Sequence, residues 1–194
     1  MQKLTPADLH PLETYARLRN QFRARVVEHK QHRRLPLGEH VTLYFEDRLT
    51  MQYQVQEMLR AERIFEPDEI QAELDTYNPL IPDGSNWKAT MMVEYPDEAE
   101  RRVALSRLLD IENRIWLRVT GQDRIWPIAD EDLDRSTGEK TSAVHFLRFE
   151  LTLPMIASLR AGASLHAGVD HPEYQLTDIE VPELVRESLI ADLA

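Results

Sequence analysis

Glu46, Glu57 and Glu62 fall within "YFEDRLTMQYQVQEMLRAERI" (residues 44–64), and His145 lies in "AVHFLRFEL" (143–151). Carboxylates and imidazoles ligate divalent metals and serve as acids and bases, so these four are the candidate metal ligands. A helix starting near Met51 sets Val55, Met58, Leu59 and Glu62 at i, i+3, i+4 and i+7, with the Glu62 carboxylate inside an apolar stripe. A buried carboxylate needs a cation, a hydrogen donor or a metal beside it. Alternation in 143–151 turns Ala143, His145, Leu147, Phe149 and Leu151 to one face, which makes His145 the expected partner of Glu62. A core histidine satisfied by hydrogen bonds is the commoner outcome for such a position. Arg60 and Arg148 are the cationic candidates for the same pocket, and Arg60 is also spaced for a local ion pair with Glu57.

Other chemistry-bearing residues form weaker patterns. His29 and His32 lie on a basic helix without the surrounding carboxylates of a di-iron bundle, so solvated side chains are expected. "GVDHPEY" (168–174) offers an Asp170–His171 contact, although turn chemistry alone accounts for Asp and Pro there. The chain contains neither a nucleophile elbow nor a glycine-rich phosphate loop, and no catalytic residue or cofactor site follows from spacing.

The elements that must position these residues alternate between two periods. Thr5, Pro6 and Asp8 open a helical start, and a long amphipathic helix over about 13–34 presents Tyr15, Leu18, Phe22 and Val26. A strand at 41–46, the helix of the first quotation, and a helix from Pro67 to about Tyr77 follow. "KATMMVEY" is a strand and Asp97 caps a helix ending near Asp110. "RIWLRVTG" and "DRIWPIA" read as a hairpin, and the polar stretch 130–142 as a mobile, dispensable loop. A short helix from Pro154, a strand around "ASLHAGV" and a helix after Pro182 complete the chain. The pattern predicts an α+β fold, a mainly antiparallel sheet with packed helices and a long amphipathic N-terminal helix. One domain over 1–194 is expected, with a helical segment 1–38 and an α+β body 39–194.

Composition narrows the function classes. The 194 residues include no cysteine, which excludes disulfides, thiolate nucleophiles and cysteine-ligated clusters and leaves His and carboxylates for any divalent metal. Residues 1–40 hold eight Lys/Arg against four Asp/Glu, whereas 41–194 hold fifteen against thirty. That acidic body opposes nucleic-acid binding. No run approaches the roughly 20 apolar residues of a membrane span, and the opening residues lack a secretory layout, so a cytoplasmic location is expected.

Taken together, "LTPADLHPLETY", "HVTLYFEDRLTMQYQVQEMLRAERI", "ELDTYNPLIPDG" and "AVHFLRFEL" resemble the uncharacterised bacterial family called domain of unknown function 3501, over nearly the whole chain. The resemblance implies no activity and no catalytic residues. Genes of that family often neighbour those of rubrerythrin-like and iron–sulfur-binding proteins, which implies an association with a redox or oxidative-stress system. Lacking cysteine, this chain would act there in support. The expected function is a non-catalytic cytoplasmic accessory or binding protein with a polar pocket between helix 51–64 and strand 143–151. The alternative is a metal-binding protein or metal-dependent enzyme using Glu46, Glu57, Glu62 and His145. The first helix also offers a surface for a homo-oligomer or a protein partner of the redox system.

Overall fold

A computed structural model describes residues 2–131, 135 and 138–194. Thr5 caps a 3-10 turn at Pro6–Asp8, and α1 spans Leu12–Gln31. The chain then enters β1 (Arg34–Leu37) and β2 (Val41–Glu46), which pair as a hairpin. The basic helix is thus shorter than its amphipathic pattern suggests. Leu35 and Leu37 alternate with exposed Arg34 and Pro36, a two-residue period that belongs to the sheet.

Asp47 caps α2 (Arg48–Glu62) by accepting from the Leu49 and Thr50 amides, and Arg63 ends the helix in the left-handed conformation. Next come α3 (Pro67–Tyr77), β3 (Asn86–Val93), α4 (Glu98–Arg107) with its Asp97 cap, and β4 (Ile115–Val119). β5 (Arg124–Ile125) and β6 (Ile128–Ala129) are two-residue strands, followed by β7 (Val144–Glu150). The chain closes with α5 (Leu153–Arg160), β8 (Leu165–His171), β9 (Tyr174–Glu180) and α6 (Glu183–Ile190).

The strands form two antiparallel sheets, ordered β1-β2-β3-β7-β6 and β5-β4-β8-β9, so the fold is α+β as the pattern predicted. The expected hairpin is split. β5 pairs with β4, but Pro127 interrupts the run and β6 joins β7 in the other sheet. Proline cannot donate to a ladder, and it stands where the chain changes sheets.

Alternate residues of the two sheets meet in one core, with Leu43, Phe45, Met91, Leu147 and Phe149 from the first and Ile115, Leu117, Leu165 and Ala167 from the second. Ile156 and Leu159 of α5 and Val185 and Leu189 of α6 complete it. A second cluster joins Leu4, Met51, Val55, Leu59, Leu74 and Ile81 between α2, α3 and the N-terminal segment. In the second sheet Gly168 lies under the Trp116 indole, where a Cβ would stand 2.3 Å from Cζ2.

One buried cation ties the chain ends together. Arg33, just before β1, donates to the Phe45 and Glu46 carbonyls and to Ser188 and Asp192 at the C-terminal helix. Asp47 stands 3.4 Å from its Nε and also contacts His29 at 2.5 Å.

Candidate functional site

The predicted ligands separate. Glu62 is the last residue of α2 and is exposed, which overturns the expectation of a buried, paired acid. The inward side of the stripe holds at Val55 and Leu59, which are buried, while Met58 is half-buried. The helix outlasts the surface it packs on by one turn, and its buried polar residue is Gln56, bonded to the backbone of His10. Glu57 looks instead toward α1, accepting from Tyr15 at 2.6 Å and from Nε and Nη2 of Arg19 at 2.8 and 2.7 Å. Arg60 is exposed and makes no pair with it at contact distance. Glu46 is 6 % exposed, accepts from Thr90 at 2.8 Å and leaves Oε2 without a partner. It lies on the opposite face of the first sheet from His145, because β2 turns Phe45 rather than Glu46 toward the core.

His145 is fully buried on the core face, as alternation required, but its partners are others. Nδ1 lies 2.5 Å from Asp130 Oδ2, and Nε2 lies 2.8 Å from Thr141 Oγ1 and 3.1 Å from the Ser142 carbonyl. The Thr141 hydroxyl donates onward to Glu112 at 3.2 Å. Asp130 also accepts from the Phe146 amide and faces Arg135 at 3.6 Å. Glu112, Asp130 and His145 have donor atoms within 4.8 Å of one another, which is metal-like spacing. The two acids approach opposite ring nitrogens, however, and a metal binds along the lone pair of one nitrogen. On the Nε2 side stand one carboxylate, one hydroxyl and one carbonyl, neither the N/S set of zinc nor the oxygen cage of a hard cation. The arrangement is a chain of hydrogen bonds that fixes the start of the segment after β6.

That segment serves the other face of β7. Glu131 accepts from Nε and Nη2 of Arg148, at 2.7 Å each, and Arg148 Nη1 pairs with Glu150. The Arg135 guanidinium sits 4.6 Å over the Phe146 ring. A cleft of about 570 Å³ opens here, between Tyr77, Pro79 and Leu80 at the end of α3 and Lys88, Phe146 and Arg148 on the sheet. Arg148 lines this cleft, whose opposite wall is the end of α3 and not the helix 51–64 expected to frame a pocket with it. Residues 132–134 and 136–137 of the expected mobile loop lie outside the described residues, while its described ends carry Asp130, Glu131 and buried Thr141.

Lys88 is the cleft residue that sequence reasoning missed. It stands directly across from Arg148 in the β3–β7 register and from Glu46 in the β2–β3 register. Burial first, and the Arg148 guanidinium second, hold its ammonium below the ordinary lysine range. Among the described residues no carboxylate comes within ion-pair distance of it. One signal was available, since the chain has four lysines, at 3, 30, 88 and 140, against nineteen arginines. At His171 the Asp170 contact is not made. Nε2 faces the Leu109 carbonyl at 2.9 Å and Nδ1 accepts from the Glu173 amide. His32 is exposed, as expected, whereas His29 is held by Asp47.

Fold and site together describe an α+β protein of two antiparallel sheets with a helical flank and a cationic, apolar-walled cleft. The chain belongs to the family described as "Protein of unknown function (DUF3501)", whose model matches residues 3–193. It is 52 % identical, over 100 % of both chains, to a novel protein of unknown function from Burkholderia pseudomallei K96243, whose crystal structure gives a TM-score of 0.95. No curated protein matches it. Among the described residues no helix is long and apolar enough to cross a membrane.

Proposed function

We propose that the protein is a cytoplasmic accessory binding protein that holds a small carboxylate with an apolar body in the cleft beside Lys88. The observation that carries this reading is the Lys88 ammonium, half-buried beside a guanidinium with no acid at contact distance among the described residues. Cations of a folded chain normally find an acid or water, and this one is held where an anion would satisfy it. The apolar wall of Tyr77, Pro79, Leu80 and Phe146 suits a hydrocarbon or ring, and Arg148, held by Glu131 and Glu150, lines the same wall. In a chain with formal charge -11, such a spot discriminates locally against the surrounding field. A redox system is the proposed setting, taken from the family resemblance, with the protein as its ligand-carrying helper.

Calorimetric titration with hexanoate and benzoate tests the reading. Saturable binding by the wild type, lost in Lys88→Met at unchanged melting temperature, is expected. Equal affinity in Lys88→Met, or no binding by either acid to the wild type, would overturn it.

A further inference from the structure

Lys88 differs from the other lysines in more than charge. Lys3 is fixed by the Asn78 and Ile81 carbonyls, Lys30 lies in the last turn of α1, and Lys140 is exposed. Lys88 alone projects from the middle of a strand into a walled cleft. Among the described residues the fixed ion pair on this face of the first sheet uses arginine, Arg148 with Glu131 and Glu150. Arginine binds acids better and cannot act as a nucleophile, so a lysine at this position retains a chemistry that arginine lacks.

We infer that the Lys88 amine captures carbonyl ligands in the cleft, condensing with a 2-oxo acid to form an imine. This rests on the carboxylate-binding reading and narrows its ligand class. The carboxylate draws the ligand to the cationic wall, and the adjacent carbonyl carbon then lies beside the same nitrogen. The Lys88 nitrogen adds to that carbon, and the carbinolamine loses the former carbonyl oxygen as water together with the two amine hydrogens. One C–N double bond replaces one C–O double bond, so neither an oxidant nor a reductant is consumed. Partial burial and the guanidinium directly across the β3–β7 pair favour the neutral, nucleophilic amine against the opposing charges of Glu131 and Glu150.

Incubation of the full chain with 2-oxohexanoate, reduction with borohydride and peptide mapping tests this, with hexanoate binding measured in parallel. The reduced adduct is expected on Lys88 several-fold faster than on Lys3, Lys30 or Lys140. It should vanish in Lys88→Arg, whose melting temperature shows whether the fold is kept, while labelling of the other three lysines stays unchanged. Hexanoate binding without a Lys88 adduct overturns the carbonyl inference alone. A Lys88 adduct without hexanoate binding overturns the carboxylate reading and leaves the reactive amine standing. Uniform labelling of all four lysines, with no hexanoate bound, overturns both.

Discussion

The Asp130 carboxylate joins the two faces of β7, reaching the buried His145 ring through Oδ2 at 2.5 Å and the Phe146 amide through Oδ1 at 3.0 Å. Glu131, the next residue, clamps Arg148 in the cleft. The core histidine therefore sets the geometry of a site it does not touch.

Asp130→Ala should cost on the order of 3 kcal/mol in chemical denaturation, because it strands His145 inside the core. His145→Gln, which keeps polar atoms near Asp130 and Thr141, should cost less than His145→Ala. Both His145 variants should weaken hexanoate binding while leaving the metal content of the purified protein unchanged. Stoichiometric metal in the wild type that disappears in His145→Gln would turn the hydrogen-bonded chain into a ligand set.

Glu62→Ala should change stability by no more than about 0.5 kcal/mol, as expected for an exposed helix terminus. A larger loss in the urea midpoint would put Glu62 back into the core.

Two acids should give opposite pH dependences. Hydrogen bonding and charge from Arg19, aided by Tyr15, lower the Glu57 carboxyl from 4.5 to about 2. Its stabilisation is complete above the ordinary value and is lost as pH falls toward about 2. Glu57→Gln should therefore flatten the acid limb of the stability curve and cost about 1 kcal/mol at neutral pH.

Burial raises the Asp192 carboxyl to about 6 against the opposing pull of Arg33. The folded chain thus keeps a proton that the unfolded chain releases, and stability should fall as pH rises from near 4 to 6. Asp192→Asn should remove that slope. Melting temperatures that follow one curve in both proteins through this range would show that Arg33 prevails over burial.

Gly168→Ala should cost about 1–3 kcal/mol, since the new methyl collides with an indole that is itself packed. Replacing Trp116 with Leu in the same chain should recover part of that loss.

The sheet strands were legible because each turns one face to the core. Alternation placed Ala89, Met91, Val93, Leu147 and Phe149 correctly and buried His145. Helix 48–62 was legible in phase but not in extent, because periodicity says which side faces inward and not where the inward surface ends. The partners of His145 were hidden for a related reason. Asp130 just after β6 and Glu112 in a 3-10 turn before β4 lie in short segments that sequence patterns leave open, and the crossing from β5 to β6 brings Asp130 to β7. Lys88 was hidden by its own regularity, reading as the polar half of an alternating strand.

Arg33 and its partner Asp192 are 159 residues apart in the chain. At about 10 residues per second of synthesis, roughly 16 seconds pass between their appearances on the ribosome. Throughout that interval the guanidinium under the first hairpin lacks its last acid and must stay hydrated. The nascent N-terminal third therefore cannot seal its underside, and the C-terminal helix arrives as the closing piece of the fold.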